Sequence, residues 1–196
     1  MTTSWLAVID LQRLFAEPDS PWFTPGFSGI TGTVGELLPV FGPRTVFTRF
    51  VAPQTPLGAW NAYYTRWPFA LQPPDAPAYR LVREFEAVAG PTVDATTFSK
   101  WTPELTARVR DADRLYLAGV TTDCCVLSTA LAAADAGISV RIVTDACAGV
   151  DDDSHRAALR VLGLCDPLIR LVTAAEVRTE LLAETAGRAA PLEEAP

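Results

Sequence analysis

Two adjacent cysteines, Cys124 and Cys125, open a helix-forming run just after a short apolar stretch broken by glycine. The segment reads LYLAGVTTDCCVLSTALAAADAG: residues 115–118 predict a buried strand, Gly119 breaks it, and a helix begins at Asp123. A thiol in a first helical turn feels the positive end of the helix dipole and the unpaired backbone N–H groups there. Both favour the thiolate, which is the nucleophilic form. Several α/β hydrolytic sites are built from a strand, a tight turn and a nucleophile on the opening helical turn. The competing reading makes both cysteines small buried hydrophobes. A second reactive group is Asp10, a carboxylate at the tip of the apolar run 5–9.

The elements that must position these groups alternate along the chain. Strands are predicted at 5–9, 45–50, within 91–97, and at 115–118, 139–143 and 168–172. Helical spacing predicts helices at 30–40, 104–109, 123–136, 154–162 and 174–182. The alternation implies an α/β, three-layer Rossmann-like fold, with a mainly parallel central sheet of about six strands and helices on both faces. In such sheets the site lies beyond the carboxyl ends of the strands, where Asp10 and the 119–125 turn both fall. Residues 1–186 are expected to form one domain, and 187–196 a flexible C-terminal tail. Residues 51–79 break the rhythm with prolines mixed among Trp60, Tyr63, Tyr64, Trp67 and Phe69. This excursion is either an active-site lid or subunit contact, or a loop pinned by its own aromatics.

Composition removes several function classes. The net charge of −7 makes a nucleic-acid backbone an unfavourable partner. Four cysteines in 196 residues, two of them adjacent, do not form a disulfide framework. The N-terminus lacks the pattern of a signal peptide, and no apolar run reaches membrane-spanning length. A cytoplasmic protein without nucleic-acid or membrane partners is expected. No GxGxxG or GxxxxGK[ST] run follows a strand, so no nucleotide cofactor is implied. A GxSxG elbow is also absent.

GVTTDCCV resembles the G-V-x-T-D-x-C-V signature of the isochorismatase-like cysteine hydrolases, relatives of nicotinamidase and N-carbamoylsarcosine amidohydrolase. AVIDLQ at 7–12 and VTDACAGVDDDSHRAAL at 143–159 resemble the segments flanking that signature. The resemblance implies Cys125 as nucleophile and Asp10 as its base, with Cys124 at a variable position. Neighbours on a helix point about 100° apart, so only one of the two thiols faces Asp10. It further implies a cis peptide between Val120 and Thr121, which turns N–H groups, including that of Cys125, toward an oxyanion. Attack on a carbonyl would give a thioester as the amine leaves, and water would release the acid. A homo-oligomer acting on a small-molecule substrate is implied as well.

The family's lysine position is where the chain departs. Four residues before the serine of ATTFSKW stands Ala95, and the chain's only lysine is Lys100. Either Lys100 folds back and supplies the missing charge, or the site is a weakened one that binds a small molecule or partner protein. A displaced lysine starts more than about 10 Å along an extended chain. The D-x-H metal motif of nicotinamidases is replaced by Thr48-Arg49-Phe50, and His155 is the only histidine, so no metal is expected. Asp151, Asp152 and Asp153 read as helix-dipole partners, with Ser154 as the N-cap, in preference to an ion site. Arg49 either pairs with a substrate carboxylate or is structurally paired. Phe15, Trp60 and Trp101 are expected to line the substrate pocket.

Overall fold

The computed structural model describes residues 2–189. Six strands alternate with helices: β1 Ser4–Ile9, α1 Arg13–Ala16, α2 Phe27–Phe41, β2 Thr45–Phe50, α3 Trp60–Arg66, α4 Arg83–Glu86, β3 Val93–Ala95 and α5 Pro103–Arg108. The second half adds β4 Arg114–Val120, a π-helical turn Thr122–Val126, α6 Leu127–Asp135, β5 Ser139–Ala148, α7 Asp152–Gly163, β6 Ile169–Val172 and α8 Ala174–Ala189. All strand pairs are parallel, and the order is β3-β2-β1-β4-β5-β6. From β1 the chain moves outward to β2 and β3, then returns to lay β4 on the other side of β1. The β1/β4 junction is therefore the topological switch point, where crossover connections leave in opposite directions and open a crevice.

Burial on both faces explains the unbroken apolar runs. Along β1, Leu6 and Val8 join the core beneath α2, while Ala7 and Ile9 join the opposite core with Val126 and Ala130. All four β1 residues are fully buried, so strand periodicity is hidden in an all-apolar stretch. Gly119 has a φ of 116°, and a Cβ on it would lie 2.1 Å from the Ile9 carbonyl oxygen. Only glycine lets β4 pass that close to the end of β1, which brings Asp10 and the cysteine turn together.

The structure departs from the predicted elements in physically readable ways. The helix predicted from Asp123 begins as a π-helical turn, so the cysteines lie in a wider turn than an α-helix provides. The strand predicted at 139–143 runs to Ala148, because a register shift between Leu117 and Gly119 carries its pairing with β4 further. Asp151, not Ser154, is the N-cap of α7: its Oδ1 accepts the Ser154 N–H at 2.7 Å. The short helices α1, α3 and α4 carry too few turns to leave a periodic signal. Residues 187–189 of the expected tail continue α8, and 190–196 lie outside the described residues.

Candidate active site

β1 ends at Ile9, and Asp10 takes a φ of 52°, a left-handed conformation that non-glycine residues adopt at a cost. Its side chain is fully buried. One oxygen, Oδ1, accepts the Thr48 hydroxyl at 2.7 Å, and the same hydroxyl oxygen lies 3.3 Å from the Asp10 N–H that donates to it. The other, Oδ2, lies 2.9 Å from the Lys100 ammonium as an ion pair and has no aligned hydrogen-bond donor.

Lys100 reaches this carboxylate because the chain reverses after β3. Thr97 donates its hydroxyl to the Ser99 carbonyl, and the Thr102 N–H donates to the Lys100 carbonyl at 2.7 Å. The resulting turn lifts Lys100 inward, fully buried, with its ammonium donating to the Thr97 carbonyl at 3.0 Å and lying 5.1 Å from the Phe50 ring centroid. Ala95 is the last residue of β3, paired with Phe50, and is also buried. The ammonium thus arrives from five residues further along than the family pattern. Burial favours the neutral amine, but the charge of Asp10 outweighs it and holds Lys100 above its ordinary value.

Cys125 lies in the π-helical turn, beyond a cis peptide between Val120 and Thr121. The Thr121 carbonyl accepts the N–H groups of both Cys124 and Val126, at 3.1 Å each. A hydrogen bond with Cys124 and burial push the Cys125 thiol well up, Asp10 adds to this, and Lys100 pulls the other way. Thr129 joins the two sides of the site. Its hydroxyl oxygen accepts the Lys100 N–H at 2.8 Å and its hydroxyl donates to the Cys125 carbonyl at 2.6 Å. Threonine bonding back to the carbonyl four residues earlier is common in helices, and that spacing is the one signal in the sequence for this bridge.

Cys125 and Cys124 open into a cavity of about 210 Å³. Its walls include six aromatic rings, from Phe15, Trp22, Phe50, Tyr63, Trp67 and Phe98, together with Thr121, Asp123 and Val150. The 51–79 excursion supplies Tyr63 and Trp67, so part of it is a wall of the cavity. Burial raises the Tyr63 phenol above its ordinary value, keeping it neutral. Trp22 centres the cluster, with its ring 6.1 Å from Phe15, 5.6 Å from Phe50 and 5.1 Å from Phe69. No periodic pattern marks Trp22, which precedes α2 in an irregular, proline-flanked stretch.

Three expected pocket residues sit elsewhere. Trp60 packs behind the wall, 5.2 Å from Tyr63 and 5.0 Å from Phe98, because the ring faces its own helix neighbours. Trp101, beyond the Lys100 turn, packs against the core on the α6 face. Arg49 holds Asp94 through Nε at 2.8 Å and Nη2 at 2.6 Å, the cross-strand partner in the β2/β3 register, and it borders a separate groove. It is the structurally paired arginine.

A larger groove of about 770 Å³ lies beyond Gly149, between the start of α2 and the start of α7. Asp151, Asp152, Asp153 and His155 line it, and His155 Nδ1 is 2.8 Å from the Thr122 hydroxyl. Among the described residues, no group of His, Cys, Asp or Glu side chains converges to hold a metal ion. No described helix is long and apolar enough to cross a membrane.

A family model described as the Isochorismatase domain matches residues 4–176. No curated protein matches the sequence significantly. Among solved structures, a cysteine hydrolase from Pseudomonas syringae pv. phaseolicola 1448A superposes with a TM-score of 0.79 at 19% identity, covering 92% of each chain. The nicotinamidase/pyrazinamidase PncA from Bacillus subtilis gives 0.69 at 24% identity, over 88% of this chain and 100% of that one. A pyrazinamidase of Pyrococcus horikoshii, solved in complex with zinc, gives 0.70 at 23% identity over 87% and 98%. At these identities the superpositions establish the shared fold.

Proposed function

This chain belongs to the isochorismatase family of hydrolases, and on that premise we propose that it is a metal-free cysteine hydrolase. It cleaves a C–N bond of a small amide, carbamoyl or ureido compound through a thioester on Cys125. The observation that carries this reading is the fully buried Asp10–Lys100 pair, 2.9 Å apart, next to the turn that holds Cys125. A buried charge pair costs desolvation energy and is weak evidence for stability, so its place beside a thiol argues for chemistry.

Cys125 rests as a thiol. When a substrate carbonyl enters, the proton passes to Asp10 and the sulfur attacks the carbon. Asp10, Lys100 and Cys125 together carry zero net charge before and after this transfer, so no additional charge is buried. Lys100, an ion-pair partner of carboxylate before the transfer, stabilises the thiolate after it. The first-turn N–H of Cys125 receives the oxyanion. The C–N bond breaks as Asp10 returns the proton to the leaving nitrogen. Water, deprotonated by Asp10, then opens the thioester and releases the acid.

One feature favours a second reading, a binding module using the same cavity: Cys124 and burial push the Cys125 thiol up from its ordinary value. Against it stands Lys100, whose ammonium fills the role that Ala95 leaves vacant. Ammonia release from a panel of small amides separates the two, with intact-mass detection of an acyl adduct on Cys125. Turnover and an adduct, both lost in Cys125→Ala, are expected. Saturable binding of panel members with no turnover would move the protein to the binding reading.

A further inference from the structure

We propose that the cavity filters its substrates by charge, accepting a neutral or cationic acyl group and refusing one that bears a carboxylate. This deepens the hydrolase reading and rests on it for the word substrate. Six aromatic rings form the walls, and among the described lining residues none is an Arg, Lys or His. The one ionised side chain on the wall is a carboxylate, Asp123. It is held in place: its Oδ1 accepts the Val150 N–H at 2.9 Å, and a Cβ on Gly149 would come within 2.8 Å of the same oxygen.

Arg66 is exposed, stacks on the Trp67 ring at 5.3 Å and is not among the lining residues, and the other two candidate cations are engaged. Lys100 is fully buried against Asp10. Arg49, the residue best suited by sequence to bind a carboxylate, is locked onto Asp94 at another groove. A ligand carboxylate in the cavity would therefore lose its hydration without gaining a partner, and would face Asp123. A planar cation meets aromatic rings and one carboxylate, both able to attract it. The neighbouring groove holds three aspartates against one arginine, Arg156, which pairs with Asp153, so its lining is acidic on balance.

The test is a matched series of primary amides of similar size: neutral benzamide, cationic 1-methylnicotinamide and anionic 4-carbamoylbenzoate. Binding to the full-length wild type is read from quenching of tryptophan fluorescence, since Trp22 and Trp67 lie on the wall. Benzamide and the cation are expected to bind, with the anion weaker by about tenfold or more. Asp123→Asn, which keeps an oxygen for the Val150 N–H, is expected to shrink the gap between cation and anion. Equal or tighter binding of the anion overturns the proposal, as does the absence of saturable binding by all three. Ammonia release is followed in parallel. The expected binding order without any turnover leaves the charge filter standing and sinks the hydrolase reading; turnover of the anion as fast as benzamide does the reverse.

Discussion

Two hollows lie side by side at the carboxyl ends of the strands, and they differ in what is buried beneath them. The groove at the start of α7 is the larger, about 770 Å³ against about 210 Å³, and the more polar in its residues. Its aspartates are exposed and spent on local roles, Asp151 as helix cap and Asp153 as partner of Arg156. The small cavity has almost no exposed charge, yet Asp10 and Lys100 lie fully buried behind it. Exposed charges are solvated at little cost, whereas a buried ion pair persists only where neighbouring groups compensate it. Volume locates space for a ligand. Buried, unspent polarity locates the chemistry.

The sharpest way to break this comparison is to remove the groups behind the small cavity. Cys125→Ala is expected to lower amide turnover by at least about a thousandfold while leaving the melting temperature close to that of the wild type. A residual rate within tenfold of wild type would end the thioester mechanism. Lys100→Ala follows, with about a hundredfold loss of turnover and a destabilisation of roughly 3–5 kcal/mol, because Asp10 is left as an uncompensated buried charge. Adding Ala95→Lys to that variant supplies an ammonium from the last residue of β3. Recovery of both turnover and melting temperature is expected; recovery of neither would show that the site tolerates only the route through the turn after β3.

The same contrast explains what could be read from the sequence. The strands and the end of the sheet that carries the site were legible because runs such as 5–9 and 115–118 are apolar on both faces and end at Asp10 and Gly119. Asp10 was legible as the end of a strand and the cysteine pair as the start of a helix, while the choice of Cys125 over Cys124 came from the resemblance of GVTTDCCV. The Lys100 contact was not fixed by pattern, since it depends on a turn after β3 closed by Thr97 and Thr102, with Thr129 anchoring the Lys100 backbone. The pocket wall was legible only as an aromatic-rich stretch. Which ring faces inward depends on tertiary packing: Tyr63 and Trp67 line the cavity, but Trp60 between Tyr63 and Phe98 does not. The choice between the two readings of Arg49 depends on packing in the same way, its Asp94 partner being set by strand register.

Changes at the larger groove are expected to touch stability alone. Asp151→Ala removes the oxygen that caps α7 and is expected to lower the midpoint of denaturant unfolding slightly. Turnover in the same variant is expected to stay within about twofold of wild type. A larger fall in turnover, at unchanged cavity binding, would mean that the groove takes part in the reaction.

The smallest effect concerns His155, and its sign follows from burial. Burial holds its imidazole below the ordinary value; Asp152 and Asp123 oppose this and Arg156 adds to it. The unfolded chain titrates near about pH 6.5, so between that value and the lower folded one the unfolded state binds more protons. The His155 contribution to stability is therefore complete above about pH 6.5 and is lost as the pH falls toward the folded value. His155→Asn places an amide oxygen near the Nδ1 position, within reach of the Thr122 hydroxyl, but cannot titrate. Melting temperatures on either side of about pH 6.5 should fall more steeply toward acid in the wild type than in the variant. The turnover profile over that range should be the same in both proteins. A limb of that profile lost with the histidine would make His155 a participant in proton transfer, and the distinction between the two hollows would fail at their shared wall.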